Sequence, residues 1–197
     1  MTATGVRARR SRISLPNVIT LARLVTVPLI VWLLMDGRFA PAFWLLVAAG
    51  LSDAVDGYIA RRFNRRTHLG AYLDPLADKA LLVGVFVALG VQGHLPSWLV
   101  ILVVSRDILI IGGALLIHTL TQKLRMAPIW LSKLNTVTQI VLAVLVVAEL
   151  GLATSLTPLT APLIGLLIWV VALTTVASGG QYVVTWLQRL IRLEDER

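Results

Sequence analysis

The stretch SDAVDGYIARRFNRRTHLGAYLDPLADKA, residues 52–80, sets four aspartates (Asp53, Asp56, Asp74 and Asp78) into an otherwise oily chain. Asp53 and Asp56 are three residues apart and so share one face of a helix, with Gly57 one turn on from Asp53 and Ala60 one turn on from Asp56. Asp74 and Asp78, four apart, share a face of the next helix. The short segment between the two helices predicts that they pack as antiparallel neighbours. Two acidic faces then meet, and four adjacent carboxylates do not all stay ionised without countercharge. Either some are protonated, or metal ions sit between them.

The surroundings make such a cluster costly. Of the 197 residues 57% are hydrophobic and the mean hydropathy is +0.85, more apolar than a soluble domain of this length. The apolar runs reach the roughly 20 residues that crossing a bilayer takes. The expected fold is therefore all-α: one polytopic membrane domain, residues 1–197, with a basic N-terminal arm at 1–15 and six transmembrane helices. Their expected bounds are near 18–35, 39–62, 72–92, 97–119, 134–151 and 159–188. Turn chemistry places breaks at Asp36-Gly37, at Gly93 to Pro96 and at Ser155 to Pro162, and Pro28 predicts a kink in the first span. The first apolar run starts after residue 15 and is followed by others, so it reads as a retained helix rather than a cleaved signal peptide. With no cysteine, disulfides and thiolate metal sites are excluded.

The cations sort to one side. Arg7, Arg9, Arg10 and Arg12 precede the first span. Arg61, Arg62, Arg65 and Arg66 lie between the second and third, Lys123, Arg125 and Lys133 between the fourth and fifth, and Arg189, Arg192 and Arg197 at the end. The opposite loops offer Arg38 alone. This bias puts both termini in the cytoplasm, and the aspartates within about two helical turns of the cytoplasmic face. It also accounts for the net charge of +8 without a nucleic-acid partner.

Carboxylates are hard oxygen ligands suited to Mg2+, Mn2+ or Ca2+, and with only His68 nearby zinc is a poor fit. Two such ions about 3.5–4 Å apart are the usual device for phosphoryl transfer. Gly57 and Ala60 leave room for a ligand near the backbone, and Arg61 is suited to a phosphate. On the residues alone, a cation or proton pathway of a transporter and a structural ion-pair network also account for intramembrane acids. The chain shows no internal repeat of the kind many transporters have.

The stretch follows D-x2-D-G-x2-A-R-x8-G-x3-D-x3-D, through Asp53, Asp56, Gly57, Ala60, Arg61, Gly70, Asp74 and Asp78. This pattern resembles the signature of the CDP-alcohol phosphotransferase (phosphatidyltransferase) family. The resemblance implies six transmembrane helices, a homodimer, and transfer of a phosphatidyl group from CDP-diacylglycerol to an alcohol with release of CMP. It implies that Asp53, Asp56, Asp74 and Asp78 hold two divalent cations, Mg2+ or Mn2+. It further implies that Gly57, Ala60, Arg61 and Gly70 contact the CDP portion, and that Asp78 is the general base on the acceptor hydroxyl. Asn17, Thr20 and Arg23, in LPNVITLARL, step by three along one helix face. They are similar to openings in two branches of the family, phosphatidylglycerophosphate synthases and cardiolipin synthases, which assigns them to the CDP side.

The acceptor should meet the remaining membrane cations. Arg106, beside Asp107 in an apolar span, and Lys133 with Asn135 in WLSKLNTVTQ are the candidates; His118 and Arg125 read as solvent-facing. Phosphatidylglycerophosphate synthases tend to carry G-K-x-K-T in the fifth helix and a second arginine two turns after the first in the fourth. Here the corresponding residues are Ser132-Lys133-Leu134-Asn135-Thr136 and Ala114, with less positive charge. SRD, SKLNT and LTTVASGGQYV are similar to the eukaryotic-type, CMP-forming cardiolipin synthases, over residues 15 to 185. The implied reaction joins CDP-diacylglycerol and phosphatidylglycerol into cardiolipin and CMP, with glycerol 3-phosphate as the alternative acceptor. A compact chain without a transit peptide implies the bacterial inner membrane, with the active site facing the cytoplasm.

Overall fold

The computed structural model describes the backbone of residues 15–63, 68–121, 130–152 and 157–195, and the side chains of 25–52, 77–113, 130–152 and 159–188. Among the described residues the fold is all-helical: α1 (Leu15–Met35), α2 (Phe39–Phe63), α3 (His68–Val91), α4 (Ser97–Thr121), α5 (Trp130–Leu152) and α6 (Thr157–Asp195). The basic arm expected at 1–15 lies almost wholly outside them, as do Arg65, Arg66, Lys123, Arg125 and Arg197.

Glycines end two helices where the sequence puts turns. Gly37 and Gly93 have φ of 73° and 79°, the left-handed conformation that a residue without Cβ adopts without strain. After α1, the Arg38 N–H donates to the Leu33 carbonyl and Gly37 N–H to that of Leu34; after α3, the His94 N–H donates to Leu89 and Gly93 N–H to Gly90. Both are Schellman caps. Pro28 lies inside α1, and Pro162 lies inside α6 rather than between helices. The expected sixth segment stops at 188, whereas α6 continues to Asp195. At 1.5 Å per residue its 39 residues run roughly 58 Å, well beyond a hydrocarbon core of about 30 Å.

α1 packs against α2 and α3, α5 against α2, α3 and α6, and α4 against α3 and α6. The direct packing of α2 on α3 expected from their short connection is not found among the described residues. α1 and α5 each touch both helices instead. The apolar core occupies the half of the bundle that holds turns 36–38 and 92–96: Ile30 and Leu34 of α1, Phe86 and Leu89 of α3, Leu99 of α4, and Leu142 and Val147 of α5. The outward faces are apolar too, with Ile101, Ile108, Trp169, Leu173 and Val176 all exposed. A soluble bundle would turn polar residues outward. Among the described residues, Trp130–Leu152 and Leu159–Gln188 are long and apolar enough to cross a bilayer; Val25–Met35 and Phe39–Ser52 are shorter apolar stretches.

The α2–α5 seam depends on Gly151. A Cβ there would lie 2.7 Å from the Phe39 carbonyl carbon and 2.8 Å from the Ala40 nitrogen, backbone atoms that no rotamer change can move. Overpacking of this kind costs about 1–3 kcal/mol. Gly151→Ala is expected to lower the thermal unfolding midpoint in detergent. Gly50→Ala, which lies inside the same helix α2 and meets nothing within 4 Å, should leave it unchanged or raise it slightly.

Candidate active site

Three helix faces change character along their length. On α4 the stripe Leu99, Val103 ends in Arg106. On α5 the stripe Val146, Leu142 continues as Gln139 and Asn135, and on α6 Val171 is followed by Thr175 and Ser178. All of these side chains are buried. The spacings of three and four keep each set on one face. The apolar core thus becomes a polar one toward the end of the bundle where α2 leads into α3.

Arg106 and Asp107 are 4% and 3% exposed, so the polar core is charged as well as buried. Burial of either charge alone would be prohibitive. Asp107 Oδ1 accepts from Arg106 Nη1 at 2.7 Å and from Lys79 Nζ of α3. Arg106 Nη2 donates to Ser132 Oγ of α5 at 2.7 Å and to Ser178 Oγ of α6. One ion cluster therefore ties four helices together. Beside it, Asn135 Oδ1 accepts from Thr174 Oγ1 and Thr175 Oγ1, each at 2.9 Å. Arg106 Nε, Asp107 Oδ2, Asn135 Nδ2 and Gln139 Nε2 have no hydrogen-bond partner among the described residues. An unsatisfied buried group costs about 1–3 kcal/mol, more if charged.

Asp78 is exposed, between buried Ala77 and half-buried Lys79. Lys133 is exposed at the start of α5. Arg106 and Asn135 are both buried and engaged within the bundle. Asp53, Asp56, Gly57, Ala60 and Arg61 lie on α2, Gly70 and Asp74 on α3, and Asn17, Thr20 and Arg23 on α1; their side chains fall outside the described residues, as does that of Ala114. The topology still brings these segments to one end. α1 reverses into α2 through residues 36–38, and residues 64–67 join α2 to α3. Five peptide steps hold the ends Phe63 and His68 within about 18 Å of each other.

Lys79, Ser178, Thr174, Thr175 and Gln139 were not singled out by the sequence. Lys79 carried a usable signal, as a cation inside an apolar helix that needs a counter-ion from another element.

The sequence profile described as CDP-alcohol phosphatidyltransferase matches residues 13–185. The chain is 34% identical to the chloroplastic CDP-diacylglycerol–glycerol-3-phosphate 3-phosphatidyltransferase 1 of Oryza sativa, over 94% of this chain and 61% of that one. It is 31% identical to a cardiolipin synthase (CMP-forming)/mitochondrial hydrolase fusion protein of Schizosaccharomyces pombe, over 90% of this chain and 32% of the other. To the CDP-diacylglycerol–glycerol-3-phosphate 3-phosphatidyltransferase of Bacillus subtilis it is 32% identical, over 86% and 93%. The chain thus spans less than two thirds of the rice and yeast relatives and nearly all of the bacterial one.

Proposed function

Because the chain belongs to the CDP-alcohol phosphatidyltransferase family, we propose that it transfers a phosphatidyl group from CDP-diacylglycerol to phosphatidylglycerol, giving cardiolipin and CMP. The aspartate pattern on α2 and α3 supports the transfer chemistry. The observation that carries the choice of acceptor is the reduced charge at the acceptor end: Asp107 offsets one of the two cations Arg106 and Lys79, and uncharged Asn135 is held by Thr174 and Thr175. A phosphodiester monoanion needs fewer free cations than the near-dianion glycerol 3-phosphate.

The donor set fits hard divalent ions: four carboxylates on two helices with joined ends, in a chain without cysteine. Asp53, Asp56, Asp74 and Asp78 would hold two Mg2+ or Mn2+ ions, which when bound neutralise the pyrophosphate and stabilise the leaving oxygen of CMP. Gly57, Ala60 and Gly70 admit the CDP portion close to the backbone. Arg61 and Arg23 grip its phosphates, and Asn17 and Thr20 complete that side. Asp78 takes the proton of the acceptor hydroxyl as its oxygen bonds to the phosphorus bearing diacylglycerol and the bond from that phosphorus to the CMP oxygen breaks. Lys133 draws in the acceptor phosphate, with Arg106 and Asn135 behind it. In this reading the chain is one domain with six spans and both termini in the cytoplasm, a homodimer in the bacterial inner membrane with its site facing inward.

A second reading, transfer to glycerol 3-phosphate, is favoured by the rice and Bacillus relatives. Purified protein given CDP-diacylglycerol, Mg2+ and one acceptor at a time separates the two. CMP release is expected with phosphatidylglycerol and not with glycerol 3-phosphate; the reverse result replaces the first reading with the second. Chelation by EDTA should stop release, and added Mg2+ or Mn2+ restore it. Silence with every alcohol would remove the enzymatic reading altogether.

A further inference from the structure

Lys79 and Asp107 have no part in the reaction as set out above, yet they form a buried link between α3 and α4. Three successive residues of α3 face three ways, about 100° apart. Ala77 is buried at 1% exposure, Asp78 is exposed, and Lys79, at 31%, reaches Asp107 of α4. Elsewhere α3 meets α4 near their connecting turn, where Gly90 lies against Val100. Lys79 is eleven residues, roughly 16 Å, away from Gly90 along the helix. Asp107 is in turn a fixed post, held by Arg106, which is itself anchored to Ser132 of α5 and Ser178 of α6.

We propose that Lys79 and Asp107 are positioning residues whose ion pair sets the rotation of α3, and with it the aim of Asp78 at the acceptor hydroxyl. The proposal rests on the reading of Asp78 as the base. It assigns Lys79 to Asp107 rather than to a substrate phosphate. Loss of the pair should then affect the chemical step more than the binding of either lipid. A reacting group misplaced by about 1 Å costs on the order of 100-fold in rate.

The test is kcat and acceptor KM in proteoliposomes of the full chain, together with direct binding of CDP-diacylglycerol. Lys79→Met keeps the unbranched stem, one atom shorter, and leaves Asp107 paired with Arg106, so it should fold. It is expected to lower kcat roughly 100-fold with acceptor KM and CDP-diacylglycerol affinity within about threefold. Lys79→Arg, which can still reach Asp107, should recover most of the rate. Asp107→Asn should be no slower when combined with Lys79→Met than alone, because it has already lost the link to Lys79 along with the one to Arg106. Wild-type kcat in Lys79→Met overturns the proposal, and so does a raised acceptor KM at unchanged kcat, which would make Lys79 a binding group. Asp78→Asn in the same assay keeps the two ideas apart: if it turns over normally the base assignment fails, whereas an inactive Asp78→Asn beside a fully active Lys79→Met rejects positioning alone.

Discussion

Asp78→Asn is expected to reduce CMP release by about 10²- to 10⁴-fold, the range that a positioned general base supplies. The substitution preserves shape and removes the capacity to hold a proton. Asp78 is exposed on α3 while its neighbour Ala77 is buried, and Asn keeps its size and can still hydrogen-bond, so stability should change by less than about 1 kcal/mol. The unfolding midpoint of the variant, measured beside turnover, separates folding from chemistry. Binding of CDP-diacylglycerol, measured by titration in the presence of Mg2+, should persist, because three carboxylates remain to hold the ions. Asp53→Asn, which also leaves three carboxylates but keeps the base, is the contrast: its turnover should fall no further than its ion and CDP-diacylglycerol binding does. If Asp78→Asn also abolishes CDP-diacylglycerol binding, its carboxylate is chiefly a metal ligand and the proton goes elsewhere.

The sequence read the helices well because local chemistry decides them. Asp36-Gly37 and Gly93 announce two Schellman caps, and each apolar run became a helix with nearly the expected bounds. Neighbour relations were less legible. A short connection fixes only where two helix ends are; it does not stop a third helix from fitting alongside both. α1 does so by approaching α3 closely at Gly84, where a Cβ would meet Val31 at 2.8 Å. The candidate site divides in the same way. The aspartate signature is local and was visible at once. Arg106 was visible as a cation, but its partners Ser132 and Ser178 are 26 and 72 residues away in the chain. No spacing rule links them, and only the packing of α4 against α6, with α5 alongside, brings them together. Arg106 therefore read as a cation for the acceptor phosphate or an internally paired one, and the packing makes it the anchor of a buried cluster.

That burial leads to the largest expected effect on stability. Arg106→Met leaves Asp107 paired with Lys79 alone and takes the charged donor from Ser132 and Ser178, which should cost about 1–3 kcal/mol. Asp107→Leu strands the buried guanidinium and should cost more, about 3–5 kcal/mol. The double variant, Arg106→Met with Asp107→Leu, removes both charges, and apolar replacement of a buried pair is often neutral or stabilising by about 1–4 kcal/mol. Lys79 is then unpaired, but at 31% exposure its long stem lets the ammonium turn toward water. Unfolding in mixed micelles should accordingly show two unstable single variants and a double variant close to wild type. The surface pair Arg38–Asp36, 2.7 Å apart but 61% and 46% exposed, is the internal control; its removal should change stability by less than about 1 kcal/mol. If Arg106→Met unfolds no more readily than the wild type, the guanidinium is not held in a buried cluster in the native protein. A double variant that is stable yet slow shows that the reaction needs these charges and the fold does not.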